Sequence, residues 1–129
     1  MTIEATPEQT QALDYLRTEL TKLFPTSGLN IRVRRILGEE NIHVTYTNNA
    51  RAEDCTSGII LNDPAYMSFA IWNDKAGFYI ERPTTHRDVL SKCGCKRFVT
   101  MKGQSEMQCA IKLVAWFKKY STAILTLGR

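Results

Sequence analysis

The stretch from residue 58 to residue 82 constrains the fold most, because apolar and polar residues alternate along much of it. This alternation is typical of β-strands that are buried on one face. The runs 59–61, 67–72 and 78–81 are predicted to form three short antiparallel strands. Turn-forming residues separate them, Asn-Asp-Pro-Ala at 62–65 and Asn-Asp-Lys-Ala-Gly at 73–77. The stretch is therefore predicted to be a β-meander.

The two faces of this meander differ in character. Met67, Phe69 and Ile71 fall on one face and are predicted to belong to the core. Trp72 and Tyr79 fall on the other face, which is therefore aromatic and not simply polar. Such a face is either covered by a helix or used for binding.

Helices are predicted near both ends of the sequence. Thr6 and Gln9 form a capping box ahead of the first helix, and Ser105 and Gln108 form another ahead of the second. The predicted helices cover residues 7–24 and 105–122. Both carry apolar residues at helical spacing, so each is expected to pack one face on the sheet.

The segments between the helices predict further strands and turns. The first is a hairpin, with strands at 30–37 and 42–47 and its turn at 38–41, and a polar loop at 48–57 follows it. After the meander come a helical turn within 84–92, capped by Thr84 or Thr85, and a last strand at 97–101. Together these elements predict a single α+β domain over residues 1–129. Its antiparallel sheet, a hairpin plus a meander of about five to six strands, is packed by an N-terminal and a C-terminal helix.

Charge is distributed unevenly along the chain. Residues 1–81 hold 7 basic and 11 acidic side chains, a net of −4, whereas residues 82–129 hold 10 basic and 2 acidic ones, a net of +8. A basic half beside an acidic half favours a polyanionic partner or a charge-matched protein. The alternative is that these basic side chains are simply solvated.

The expected cellular compartment determines which chemical state is predicted for the cysteines. No secretory signal and no apolar run of membrane-spanning length is present, so we expect a cytoplasmic protein. Cys55, Cys93, Cys95 and Cys109 are then expected to be free thiols and not disulfides. His86 with the last three cysteines is a candidate zinc set, but a Cys-x-Cys pair departs from the usual spacing. We therefore predict no metal site.

Catalytic motifs are incomplete. His43 is followed by Val-Thr, which resembles one half of the paired His-x-Thr/Ser motif of 2H phosphoesterases, but His86 is not followed by the second half. Cys93 and Cys95 have basic neighbours in sequence that favour a lowered thiol pKa, yet no partner motif follows. Glycine-rich phosphate motifs are absent. The chain is therefore predicted to be non-enzymatic and to bind no cofactor.

Because catalysis is disfavoured, the predicted role of the chain is to bind a partner through its surface side chains. The basic and aromatic residues suited to phosphates and bases are Arg32, Arg34, Arg35, Trp72, Tyr79, Arg82, Arg87, Lys92, Lys96 and Arg97. We expect a binding domain whose basic C-terminal half engages nucleic acid or a nucleic-acid-processing protein complex. The alternative is an inhibitor or adaptor that binds protein as a homodimer through the aromatic face of its sheet, without direct nucleic-acid contact. No membrane partner is expected.

Overall fold

The computed structural model describes residues 4–48, 63–85, 88–95 and 97–127. Its elements are α1 (Pro7–Leu23), β1 (Gly28–Ile36), β2 (Glu39–Thr47), β3 (Met67–Asp74), β4 (Gly77–Ile80), β5 (Thr84–Thr85), α2 (Val89–Lys92), β6 (Met101–Gly103) and α3 (Glu106–Thr126). The α+β class is thus confirmed, with a helix at each end and a six-stranded antiparallel sheet between them. The predicted strand at 59–61 and nearly all of the predicted loop at 48–57 lie outside the described residues.

The sheet has the strand order β1-β2-β3-β4-β6, and β5 pairs with the start of β3. Its register places Ile31 opposite Val44, Val44 opposite Phe69, and Ile71 opposite Ile80. Apolar side chains of adjacent strands therefore share one face. Helix α1 packs against β1 and α3, and α3 packs against β3, β4 and β6, so the core lies between this face and the two long helices.

Phe69 lies at the centre of the core and is 1% exposed. Its ring is 5.4 Å from Trp116, 5.3 Å from Phe117 and 6.0 Å from Phe98, between ring centroids. The contacts with Trp116 and Phe117 are edge to face, and such contacts contribute beyond the burial of their area. The predicted core face of β3 is therefore confirmed.

The start of α1 is capped as predicted. The Oγ1 atom of Thr6 accepts a hydrogen bond from Gln9 N at 3.1 Å, and Gln9 Oε1 accepts one from Thr6 N at 3.0 Å. Helix α3 begins differently, since Ser105 Oγ accepts from Gln108 N at 3.1 Å while Gln108 Oε1 accepts from Gln104 N at 2.8 Å. The predicted second box is therefore wrong, because the Gln108 side chain bonds to the residue before the cap.

In the described ranges, no helix is both long and apolar enough to cross a bilayer.

The β1–β2 hairpin closes through a shorter turn than predicted. Leu37 and Gly38 form it with φ of 53° and 81°, and β2 already begins at Glu39. A two-residue turn with both φ positive matches the twist of the flanking strands. The prediction of a turn at 38–41 is wrong because only two residues are needed.

Two further expectations between β4 and α3 are corrected. Thr84 and Thr85 do not cap a helix but pair with Ser68 and Met67 of β3, so their backbone is extended. The short helix α2 begins after Asp88. The prediction of a last strand at 97–101 is wrong, since this strand is at Met101–Gly103. Its position is set by antiparallel pairing with Phe78–Ile80 of β4.

Candidate functional site

Side chains on the sheet face opposite the two long helices form what we call the open face. The name refers to its position away from those helices, since its β2 residues, which are Asn41, His43, Thr45 and Thr47, are buried. The register puts Arg32 opposite His43 and Trp72 opposite Tyr79, and all four side chains belong to this face. Arg34 joins them, two residues beyond Arg32 on the same side of β1. The alternation of the strands therefore gathers basic and aromatic side chains that are distant in sequence.

A groove of about 330 Å³ lies in the open face. Its lining residues are Arg34, Ile36, His43, Tyr66, Ser68, Phe69, Ala70, Trp72, Glu81, Arg82 and Thr84. The Trp72 ring meets the His43 ring edge to face, with centroids 6.4 Å apart and planes at 72°. This contact orients the indole beside the groove.

A break in strand pairing puts Glu81 and Arg82 at the groove. Strand β4 ends at Ile80 and β5 starts at Thr84, with both lying beside β3. Pro83, which is buried, stands between them and has no N–H to donate to a ladder. The chain therefore leaves the sheet for three residues, and Arg82 lines the same groove as Arg34.

His43 forms part of the groove wall and is 6% exposed. Burial lowers its pKa from 6.5 to about 4, and the positive charges of Arg34 and Arg32 add to this lowering. The imidazole is therefore neutral at pH 7, with one nitrogen available as a donor and the other as an acceptor. Its Nε2 atom has no hydrogen-bond partner within the described part of the chain.

Tyr79 lies in acidic surroundings. Burial raises the pKa of its phenol, and the carboxylates of Asp74, Glu81 and Glu39 raise it further. Negative charge therefore gathers around Tyr79, whereas Arg34 and Arg82 bring positive charge to the groove. Tyr79 is thus placed on the predicted face but is less suited than Trp72 to meet a nucleic acid.

Arg35 lies on the other face of β1 from Arg32 and Arg34. It is opposite Glu40 in the register, and its guanidinium forms an ion pair with the Glu40 carboxylate. The structure therefore separates Arg35 from the two arginines that are its neighbours in sequence.

A second cavity of about 460 Å³ continues the basic surface. It is lined by Arg82, Asp88, Leu90, Ser91, Arg97 and Phe98. Because Arg82 lines both cavities, Arg34, Arg82 and Arg97 follow one another across the surface, and we call these three the basic track. Lys92 is exposed in the last turn of α2 and lines neither cavity. Arg87 and Lys96 lie outside the described residues.

Three of the four cysteines lie among the described residues, and Cys55 lies outside them. Cys93, Cys95 and Cys109 are free and buried. Burial raises the pKa of Cys93 and of Cys109, and the Cys93 thiol donates to Leu90 O at 3.2 Å. A raised pKa disfavours the thiolate that nucleophilic attack requires. Within the described ranges, no group of three or more His, Cys, Asp or Glu is arranged to hold a metal, and His86 lies outside them.

Several groove residues were not singled out from the sequence as binding residues. Ser68, Thr84 and Glu81 line the groove with His43, which the sequence suggested only for catalysis. Alternation places Ser68 on the same side as Trp72, so that signal was present. Thr84 is positioned by the pairing of β5 with β3, and no alternation in the sequence indicates this pairing.

No protein-family model matches the chain, and comparison with curated proteins and with solved structures also finds no match. Function is therefore inferred from the residues of the open face.

Proposed function

We propose that the protein is a non-enzymatic domain that binds single-stranded nucleic acid through the open face of its sheet. One observation carries the proposal: an aromatic ring, Trp72, borders a groove that is walled by two arginines, Arg34 and Arg82. Neither arginine forms an ion pair with a described carboxylate. Both guanidinium groups are therefore available to phosphate.

The aromatic ring supplies a surface for a base. Bases of a single strand can stack on an exposed aromatic side chain, whereas those of a duplex are already stacked on one another. The contact with His43 holds the Trp72 ring in place, so little side-chain freedom is lost when a base stacks on it. This arrangement favours single strands over duplexes.

The basic track supplies contacts to the backbone. Arg82 and Arg97 belong to the basic C-terminal half of the sequence, and Arg34 extends the track onto β1. Guanidinium groups pair with phosphate through two parallel hydrogen bonds. A strand that follows the track places its phosphates on these arginines and a base on Trp72.

A second candidate, a protein partner, is favoured by the carboxylates near Tyr79. Asp74, Glu81 and Glu39 bring negative charge to the same face as Arg34 and Arg82. A face with both signs of charge around aromatic side chains suits an interface with a protein or with a second copy of the chain. This candidate is an inhibitor or adaptor that does not contact nucleic acid.

A fluorescence-anisotropy titration with labelled single-stranded and double-stranded oligonucleotides tests the first candidate. We expect tighter binding of the single strand, and an affinity that falls steeply between about 50 and 200 mM salt because counterions are released from phosphates. Absence of binding at about 50 μM protein in the lower salt would overturn it. A salt-resistant dimer in sizing chromatography without oligonucleotide would then support the second candidate.

Neighbouring arginines provide a matched pair of variants. Arg34→Gln removes a cation from the groove, and we expect about tenfold weaker binding and a shallower salt dependence. Arg35→Gln removes the same charge from the other face and should leave the affinity within about twofold. Equal losses in both variants would show that net charge, and not the groove, attracts the oligonucleotide.

A further inference from the structure

A buried side-chain nitrogen in the wall of the groove lacks a hydrogen-bond partner in the described part of the chain. His43 is 6% exposed, lines the groove, and its Nε2 atom has no hydrogen-bond partner among the described residues. Leaving a buried polar atom unpaired costs about 1–3 kcal/mol, so such atoms normally pair with protein, with an ordered water or with a bound molecule. The His43 side chain thus contributes a buried, unpaired nitrogen to the wall of the groove.

The groups around His43 are mostly donors. Guanidinium groups of Arg34 and Arg82 and hydroxyl groups of Ser68 and Thr84 line the same groove. Glu81 is the single carboxylate among the lining residues. Two full positive charges therefore face one negative charge, and the neutral imidazole adds an N–H when its proton is on Nε2.

We propose that this groove holds a terminal phosphate group, the phosphomonoester of a nucleotide or of a strand end, between Arg34, Arg82 and His43. The proposal rests on the proposed function for the base that stacks on Trp72, and it adds a preference for a phosphorylated end. A monoester has three terminal oxygens that accept hydrogen bonds, which matches a group of donors drawn from four strands and the β4–β5 break. An internal diester offers only two such oxygens and continues as a chain in both directions.

The size of the groove agrees with a small ligand. Its volume of about 330 Å³ is at the lower end of pockets that hold small molecules. One phosphate with its sugar and base fills such a space, while the rest of a longer strand follows the basic track. The free nucleotide and the strand end therefore share one recognition chemistry.

Nuclear magnetic resonance of the histidine side chains tests the pocket directly. His43 and His86 are the only two histidines, so a His86→Gln variant assigns the His43 ring signals. We expect adenosine 5′-monophosphate to shift these signals at concentrations at least tenfold lower than adenosine requires. Equal effects of the two compounds, or no shift with either, would overturn the pocket.

Substitutions of charged residues in the groove test the same binding in a second way. Arg34→Gln should weaken binding of the monophosphate about tenfold, whereas Arg35→Gln should leave it unchanged within about twofold. Glu81→Gln removes the one carboxylate and should tighten binding about threefold or more. Unchanged affinity in both Arg34→Gln and Glu81→Gln, with unfolding curves like those of the wild type, would contradict the assignment.

Oligonucleotide ends separate this inference from the proposed function. A 5′-phosphorylated or 3′-phosphorylated strand should bind at least fivefold tighter than the same strand with hydroxyl ends. Equal binding of all three, with no preference for the monophosphate over adenosine, would overturn the phosphate pocket but leave strand binding in place. Binding of the monophosphate without any strand would overturn the proposed function and support a free nucleotide as the ligand.

Discussion

The rings of His43 and Trp72 meet edge to face with their centroids 6.4 Å apart, so a group that titrates is in contact with the aromatic ring of the open face. His43 is also opposite Arg32 in the register of β1 and β2. Protonation of His43 would therefore place a positive charge beside Arg32 and against the Trp72 ring.

Stability should decrease when the pH falls below neutrality. The folded-state pKa of His43 is about 4 and its ordinary value is 6.5, so the unfolded chain takes up a proton first as the pH drops. The contribution of the neutral His43 to the free energy of unfolding is then fully present above pH 6.5. The free energy of unfolding should fall by about 2 kcal/mol between pH 7 and pH 4.5. Urea unfolding at several pH values measures this change.

The matched variant for that measurement is His43→Gln, which keeps a polar side chain but does not titrate. Its stability relative to the wild type should improve by about 2 kcal/mol as the pH is lowered over the same interval. Parallel pH profiles of the two proteins would contradict the lowered pKa, whatever the stability of the variant at pH 7.

Phe69→Ala and Trp72→Ala should differ strongly although both residues lie on β3. Phe69 packs among Phe98, Trp116 and Phe117, so its removal should cost about 3–5 kcal/mol. Trp72 is half-buried on the open face, and its truncation should cost clearly less. Thermal unfolding of both variants is the measurement, and equal large losses would mean that the Trp72 face is also core.

Gly103→Ala should destabilise the protein by about 1–3 kcal/mol. A Cβ atom at this position would lie 3.0 Å from Cys109 Sγ, 3.1 Å from Gln108 Cβ and 3.2 Å from Cys109 N. Strand β6 and the first turn of α3 would therefore have to separate. Adding Cys109→Ala removes the sulfur contact and should recover part of the stability in chemical unfolding, whereas no loss in the single variant would contradict the close packing.

Leu37→Asn should stabilise the β1–β2 hairpin by about 0.5–1 kcal/mol. Leu37 is 98% exposed and has a φ of 53°, a left-handed conformation that asparagine adopts more readily than leucine. Leu37→Ala is the control because it removes the same exposed side chain but keeps the unfavourable backbone. An equal gain in stability from both substitutions would indicate that the exposed leucine, and not its backbone, is the cause.

Local signals in the sequence were sufficient for most of the fold. Alternation predicted the two faces of β3, and the Thr6–Gln9 box predicted the start of α1. Errors occurred where pairing partners decide the outcome, as for Thr84 and Thr85, whose extended conformation depends on the distant strand β3. A turn of Leu-Gly is likewise unexpected, because leucine has no preference for positive φ.

The candidate site was only partly predictable for the same reason. Alternation placed Arg32 and Arg34 on one side of β1 and Trp72 on one side of β3. Arg82 reaches the same groove only because Pro83 interrupts the pairing of the strands along β3. Such convergence depends on tertiary register, which no single segment encodes.

The packing of α1 against α3 has a consequence for how the protein folds. These helices come from opposite ends of the described chain, and residues of both, such as Leu16 and Phe117, are completely buried. Each helix is covered partly by the sheet and partly by the other helix, so neither apolar face is fully buried until both helices have docked. Because so many of its contacts join distant segments, the chain should fold more slowly than a helical bundle of the same length.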